Sequence, residues 1–378
     1  MEKIQMVDLH HQYLAIKEEI DTAIQEVINS TAFIRGPQVA LFEQELASYL
    51  NVKHVVACGN GTDALQIALM ALELKPGDEV ITPSFTFIAT VEVIALLGLT
   101  PVFAEVDPRT YNIDPESIKK KITSRTRAII PVHLFGQPAN MDAIMDIAKQ
   151  HHLYVVEDAC QATGATYVSS NGTTYKAGTT GHIGCTSFFP SKNLGCFGDG
   201  GALFTNDDQL AEKIRMIANH GMKVRYYHDT IGVNSRLDTL QAAILRVKLK
   251  YLDHYNKKRQ QAAAFYDQQL SAINGIRIPI RMPAARHIYH QYTLVVEKPD
   301  RDALRKHLEA KGIPSMIYYP VPIHLQKAYT CYGYKEGDLP ITEWLSKHVL
   351  SLPMHTELDN EQLEYICREI KIFCSNSL

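Results

Sequence analysis

Between about residues 37 and 220 the chain sets short runs of β-branched and apolar residues beside longer runs whose apolar positions recur at helical spacing. That alternation predicts an α/β fold, a large mostly parallel sheet with helices on both faces. The strand-like runs are HVVAC (His54–Cys58), EVITP (Glu79–Pro83), PVFAEVD (Pro101–Asp107), RAIIPVHL (Arg127–Leu134) and LYVVEDA (Leu153–Ala159). Helices are expected over Gly36–Leu50, with Pro37 near its start, and over Thr62–Leu74, ahead of Pro76 and Gly77. Others fall around Ala89–Leu97, Pro115–Lys121 and Asn140–His151. Leu237 to about Ser271 reads as a long helical connector. Beyond it, IRIPI, YTLVV and DALRKHLEAKG predict a smaller α+β domain ending in a helix over Asn360–Phe373. A chain of 378 residues has room for two domains, expected at residues 1–246 and 247–378.

Charge narrows the function. Lys and Arg total 38 against 41 Asp and Glu, a formal charge of -3, so no chain-wide field exists to hold a polyanion and nucleic-acid binding is disfavoured. Seven scattered cysteines, with no Cys-x-x-Cys pair, fit reduced thiols in a cytoplasm. The N-terminal MEKIQMVDLHHQ lacks the apolar core of a secretory signal. The most membrane-like stretch, Phe87 to Val106, carries Glu92, Gly98, Pro101 and Glu105, so no membrane span is expected. The pairs His10-His11 and His151-His152 lack a ligand set and read as surface positions, so no metal site is expected. The basic stretch Lys119–Arg127 reads as a solvated face.

Parallel sheets present ligands at the carboxyl ends of their strands. GNGTDAL (Gly59–Leu65) places backbone N–H groups and the Thr62 hydroxyl at a helix start, either an anion site or a glycine turn capped by Thr62 or Asp63. Asp158 ends the strand of VVEDACQ, where it either meets a ligand or caps the next segment. Lys192 stands among Phe188, Phe189, Leu194 and Phe197. Desolvation there would lower its pKa and free a nucleophilic amine; a surface lysine is the plain alternative. Ser187 is core or a phosphate donor, and Phe85 and Phe87 in SFTFIAT are core or a stacking face. A Gly-Thr helix start, a strand-end Asp and a later Ser-x-x-x-x-Lys, in that order, together suggest pyridoxal phosphate. In that chemistry a lysine holds the cofactor as a Schiff base, and a carboxylate keeps the pyridine nitrogen protonated.

With GDEVITPSFTFIAT, VVEDACQATGA, CTSFFPSKNLGCFGDGGA and GVNSRLDTLQAAIL, the chain resembles the sugar-nucleotide aminotransferases of the DegT/DnrJ/EryC1/StrS family over nearly its whole length. The resemblance implies the type I PLP-dependent aminotransferase fold with pyridoxal 5'-phosphate as cofactor. It makes Lys192 the Schiff-base lysine, Asp158 the pyridinium partner and Gln161 a neighbour of the ring. Gly61, Thr62 and Ser187 would hold the phosphate, and Phe87, with Phe85 as the second choice, would stack on the ring. Asn234 would complete the phosphate cup of a second subunit, making a homodimer with a shared active site.

The segment RYYHDTIGVNSRLDTLQAAIL (Arg225–Leu245) is similar to relatives that aminate C3 of UDP-2-acetamido-2-deoxy-3-oxo-glucuronate. This nominates Arg236, Tyr318 and Tyr319 for the sugar, with Tyr318 standing where those relatives carry His. PVPIHLQ, with His324, also occurs in relatives that make 3-amino-3,6-dideoxy sugars on dTDP, so a dTDP-3-oxo-6-deoxyhexose is the alternative substrate. Glutamate as donor and a role in cell-surface polysaccharide or O-antigen sugar synthesis are further implications. Dehydratases of the fold replace the lysine with His, and Lys192 argues against that reading. A non-catalytic regulatory member of the fold and an amino-acid aminotransferase of the same fold are the remaining rivals.

Overall fold

The computed structural model describes residues 2–377. Seven strands form the central sheet in the order His54–Cys58, Gly201–Thr205, Ile183–Ser187, Tyr154–Asp158, Thr126–Ile129, Glu79–Pro83, Thr100–Ala104. Only Gly201–Thr205 runs antiparallel to its neighbours; the other six share one direction. The stretch 181–206, legible only as strand-like, supplies two of these strands.

Strand geometry explains the helical layers. Successive side chains point to opposite faces, so Val56, Cys58, Val80, Val156 and Leu203 join one core with residues of the helices Gly61–Ala71, Ala89–Leu96 and Asp208–Ile217. Val55, Ala57, Ala202 and Phe204 face the other way, against Phe42, Leu46 and Leu50 of the helix Pro37–Leu50 and Ala242 and Leu245 of the helix Thr239–Leu249. On that same face Ile81, Ile129 and Val155 meet Met141, Ile144 and Ile147 of the helix Met141–His151. Each fully buried Leu, Ile or Phe contributes about 1.5–3 kcal/mol over its exposed state, so both faces need their cover.

The expected connector is two helices, Thr239–Leu249 and Leu252–Leu270. The first packs on the large sheet's layer. The second places Ala263, Tyr266 and Leu270 in a separate core with Tyr292, Leu294, Leu304, Leu350 and Ile366. There a three-stranded antiparallel sheet, in the order Ile276–Arg277, Tyr292–Val296, Val349–Leu352, is covered by the helices Arg301–Ala310 and Asn360–Ser377. Ile4 of the N-terminal arm also enters this core. The expected boundary at Arg246 falls inside the helix Thr239–Leu249; we propose that the domains meet at Tyr251, between the two helices. No helix among the described residues is long and apolar enough to cross a membrane, and all seven cysteines are free.

Candidate active site

The carboxyl ends of the parallel strands open into one cavity of about 800 Å3. Gly61, Thr62, Phe87, Asp158, Gln161, Ser187, Lys192, Tyr318 and Tyr319 all line it. Its floor begins at the helix Gly61–Ala71. Asn60 Oδ1 accepts from Asp63 N at 2.8 Å, which caps one of the helix's first donors and leaves Gly61 N and Thr62 N without intrahelical acceptors. Helix dipole and free N–H groups suit this end to an anion. Residue 61 has no room for a side chain: a Cβ there would lie 2.7 Å from Ser187 Cβ and 2.9 Å from Cys160 Sγ. Glycine lets the helix start approach Ser187 closely.

Asp158 is buried, and each of its oxygens accepts one hydrogen bond. Thr90 donates its hydroxyl hydrogen to Oδ2 at 2.8 Å, and Cys160 N donates to Oδ1 at 3.1 Å. The carboxylate is thereby a fixed negative group at the strand end. Gln161 is clamped at both ends, its Oε1 accepting from Phe135 N at 2.8 Å and its Nε2 donating to Tyr319 OH at 3.1 Å. Phe85 and Phe87 differ sharply. Phe85 is 1% exposed in the core, whereas Phe87 is 54% exposed on the cavity wall, its ring centroid 6.4 Å from that of Tyr319.

Lys192 follows this pattern. Burial pulls its amine below the usual lysine value, against the opposing pull of Cys160 and Asp158. A partner-free amine, a fixed carboxylate, a helix-start anion cup and an exposed aromatic face fit the aldehyde, ring nitrogen, phosphate and ring face of pyridoxal phosphate. Residues 14–371 match the model of the DegT/DnrJ/EryC1/StrS aminotransferase family.

The chain belongs to that family. As a member it is a transaminase, and its cofactor is pyridoxal phosphate. It is 48% identical over 372 residues to the pleiotropic regulatory protein of Geobacillus stearothermophilus, covering 98% of each chain. It is 46% identical to the UDP-2-acetamido-2-deoxy-3-oxo-D-glucuronate aminotransferase of Pseudomonas aeruginosa, covering 96% of this chain and 98% of the relative. Its fold is that of S. venezuelae DesV in complex with a ketimine intermediate: TM-score 0.95, 42% identity, 99% of each chain covered.

Three expected residues of this family member lie off its cavity. His324 is buried behind the wall, with Nδ1 2.8 Å from Ser84 Oγ and Nε2 3.1 Å from Glu343 Oε1, so it ties the segment after Tyr319 to the strand end at Ser84. No face of that ring is left for a sugar. Arg236 lines a separate cleft with Arg35 and Arg215. Asn234 is exposed, bridged through its backbone to Asn219. Residues that sequence reasoning passed over also line the cavity: Thr86, Asp199, His290 and Gln291. Thr90, buried beneath Asp158, was likewise passed over. The SFTFIAT motif held the signal for Thr86 and Thr90; for His290 only its fold neighbours identify it.

Proposed function

We propose that this aminotransferase transfers an amino group to C3 of a nucleotide-linked 3-keto-sugar, UDP-2-acetamido-2-deoxy-3-oxo-glucuronate, with glutamate as donor. The unpartnered Lys192 amine, in one cavity with the fixed Asp158 carboxylate, carries the reaction class. The 46% identity to the Pseudomonas enzyme across nearly both chains supports the substrate, as does the segment Arg225–Leu245. Pyridoxal phosphate, when bound, supplies an electron sink for the carbon that loses or gains its proton. The Gly61 and Thr62 amides and the Ser187 hydroxyl would hold its phosphate, Asp158 would keep its ring nitrogen protonated, and Phe87 would cover its ring. Lys192 Nζ would hold the cofactor between turnovers and, once displaced, carry the proton to and from the substrate carbon as base and then acid.

Charge supports a second copy of the chain as partner. Lys192 is the one Lys or Arg among the described residues lining the cavity, beside Asp63, Asp158 and Asp199. A nucleoside diphosphate needs cations that this wall lacks. Arg225 and Asn234 stand on an exposed segment with Tyr226 and Tyr227, which are 75% and 69% exposed. In a homodimer these would face the neighbouring cavity, Asn234 toward its phosphate cup. We place the enzyme in the cytoplasm, supplying amino sugars for cell-surface polysaccharide.

The test is the reverse half-reaction. Cofactor-loaded enzyme is mixed in turn with UDP-linked 2-acetamido-3-amino-glucuronate, dTDP-linked 3-amino-3,6-dideoxyhexose and a panel of amino acids, and the visible absorption of the lysine-bound cofactor is followed. Bleaching by the UDP-uronate is expected. Bleaching by the dTDP sugar alone would move the substrate to the alternative, and no bleaching by any sugar would favour a regulatory role.

A further inference from the structure

Residues 229–238 run from the exposed hairpin 222–228 to the helix Thr239–Leu249 and carry Asn234. Their backbone is laid against the end of the helix Asp208–Ile217 and the residues after it. Val233 N donates to Ile217 O at 2.8 Å, Ser235 N donates to Ala218 O at 3.1 Å, and Asn234 bridges to Asn219. Successive side chains of such a stretch point to opposite faces. Asn234 is accordingly exposed, and Ser235, its neighbour, is 2% exposed.

Ser235 makes the only side-chain hydrogen bonds of residues 229–238 among the described residues. Its Oγ accepts from Gly59 N at 2.9 Å and gives its one hydrogen to Asp63 Oδ2 at 2.6 Å. The fit leaves no room for a side chain at residue 59, where a Cβ would lie 2.9 Å from Asp63 Oδ2 and 3.3 Å from Ser235 Oγ. Asp63 lines the cavity, whereas Ser235 lines the separate cleft of Arg236, so the bond crosses the partition between the two.

The two ends of this bond depend on it unequally. The helix start that forms the phosphate cup is fixed without it: Asn60 caps Asp63 N, Gly61 packs on Ser187, and a Cβ on Gly201 would lie 2.4 Å from Asn60 C. The segment of Asn234 has no second side-chain bond. Removing the Ser235 hydroxyl would leave it on backbone bonds alone, with Gly59 N and Asp63 Oδ2 short of a partner.

We propose that Ser235 and Asp63 are positioning residues for the phosphate cup of the second subunit: their bond fixes the segment that presents Asn234 to the neighbouring chain. Each chain then holds, from behind its own cup, the group it lends to the other. The inference rests on the homodimer reading above, in which Asn234 faces the neighbouring cup, and adds what keeps it there.

Two mixed dimers, built from differently tagged chains, carry the same substitutions in different arrangements. In the first, Lys192→Ala is on one chain and Ser235→Ala on the other; the cup that keeps its lysine receives an unaltered Asn234 segment. In the second, both substitutions share one chain, and the cup that keeps its lysine receives the loosened segment. Each is titrated with pyridoxal phosphate, and the visible absorption of the lysine-bound cofactor reports that cup alone. The second dimer is expected to bind about 10-fold more weakly than the first, the scale of one hydrogen bond to a charged group. Equal affinities, the outcome of a merely structural role, or weaker binding in the first dimer would overturn the proposal. Asp63→Ala on the Lys192→Ala chain removes the other end of the bond and should weaken the unaltered neighbour's cup to the same degree; an unchanged affinity there would also overturn it. Asn234→Ala in the same two arrangements separates this proposal from the reading beneath it. If Asn234→Ala acts across the dimer and Ser235→Ala does not, the shared cup stands and the proposal falls. If Asn234→Ala does not act across it, or no mixed dimer forms, the homodimer reading falls as well.

Discussion

Thr90 lies 68 residues before Asp158 in the chain, yet its hydroxyl donates to Asp158 Oδ2 at 2.8 Å inside the protein. The bond joins the start of the helix Ala89–Leu96 to the end of the strand Tyr154–Asp158. It fixes the carboxylate that we propose as the partner of the cofactor's ring nitrogen. Asp158→Asn keeps the shape and removes the charge, so turnover should fall by about 100-fold or more, the scale set by loss of one aimed electrostatic partner. Thr90→Val should cost about 10-fold, as one hydrogen bond to a charged group is lost while the carboxylate stays. Single-turnover rates with glutamate check both; a Thr90→Val loss as large as that of Asp158→Asn would mean that the hydroxyl itself acts on the cofactor.

The two phenylalanines of SFTFIAT should respond in opposite ways. Phe85→Ala empties a core position shared with Tyr111 and Phe135 and should cost about 3–5 kcal/mol of stability. Phe87→Ala removes a ring already 54% exposed. Its melting temperature without cofactor should stay close to that of the unaltered protein, while its affinity for pyridoxal phosphate weakens. Thermal melts and cofactor titration separate the outcomes, and unchanged cofactor affinity in Phe87→Ala would remove Phe87 from the site.

Lys248 makes a prediction about pH. It is 2% exposed, with Nζ 5.5 Å from the Phe197 ring centroid, and burial lowers its amine from 10.5 to about 8. The unfolded chain then binds the proton more tightly than the folded one. The penalty is complete below pH 8 and fades as pH rises from 8 toward 10.5, so this residue makes stability increase with pH across that window. At about 1.4 kcal/mol per pH unit the penalty is about 3 kcal/mol. Lys248→Met should therefore melt several degrees higher than the unaltered protein at pH 7, with the gap narrowing toward pH 10. Equal melting temperatures at pH 7 would show that the Phe197 ring already offsets the buried charge.

Much of the fold was legible because strand and helix periods are local. Val55 and Val56 each reveal a face, and apolar runs ending at Cys58, Pro83 and Asp158 point to one edge of the sheet where ligands collect. Glycine, threonine, carboxylate and lysine could be nominated because each follows such a run. Thr90 and His290 could not be, since their partners Asp158 and Asn193 come from distant segments and only tertiary packing joins them. His324 shows the converse. Its motif suggested the sugar, but no local pattern reveals that Ser84 and Glu343 bury both ring nitrogens. The break between the helices Thr239–Leu249 and Leu252–Leu270 was not legible for a related reason: it has neither glycine nor proline to mark it.

The account turns on Lys192, and chemical reduction tests it most directly. Protein loaded with pyridoxal phosphate is treated with borohydride, digested and mapped by mass. The account predicts the reduced cofactor on the peptide containing Lys192, with loss of visible absorption and of activity in proportion. Label on another lysine, such as the buried Lys248, or no covalent label at all, would contradict it.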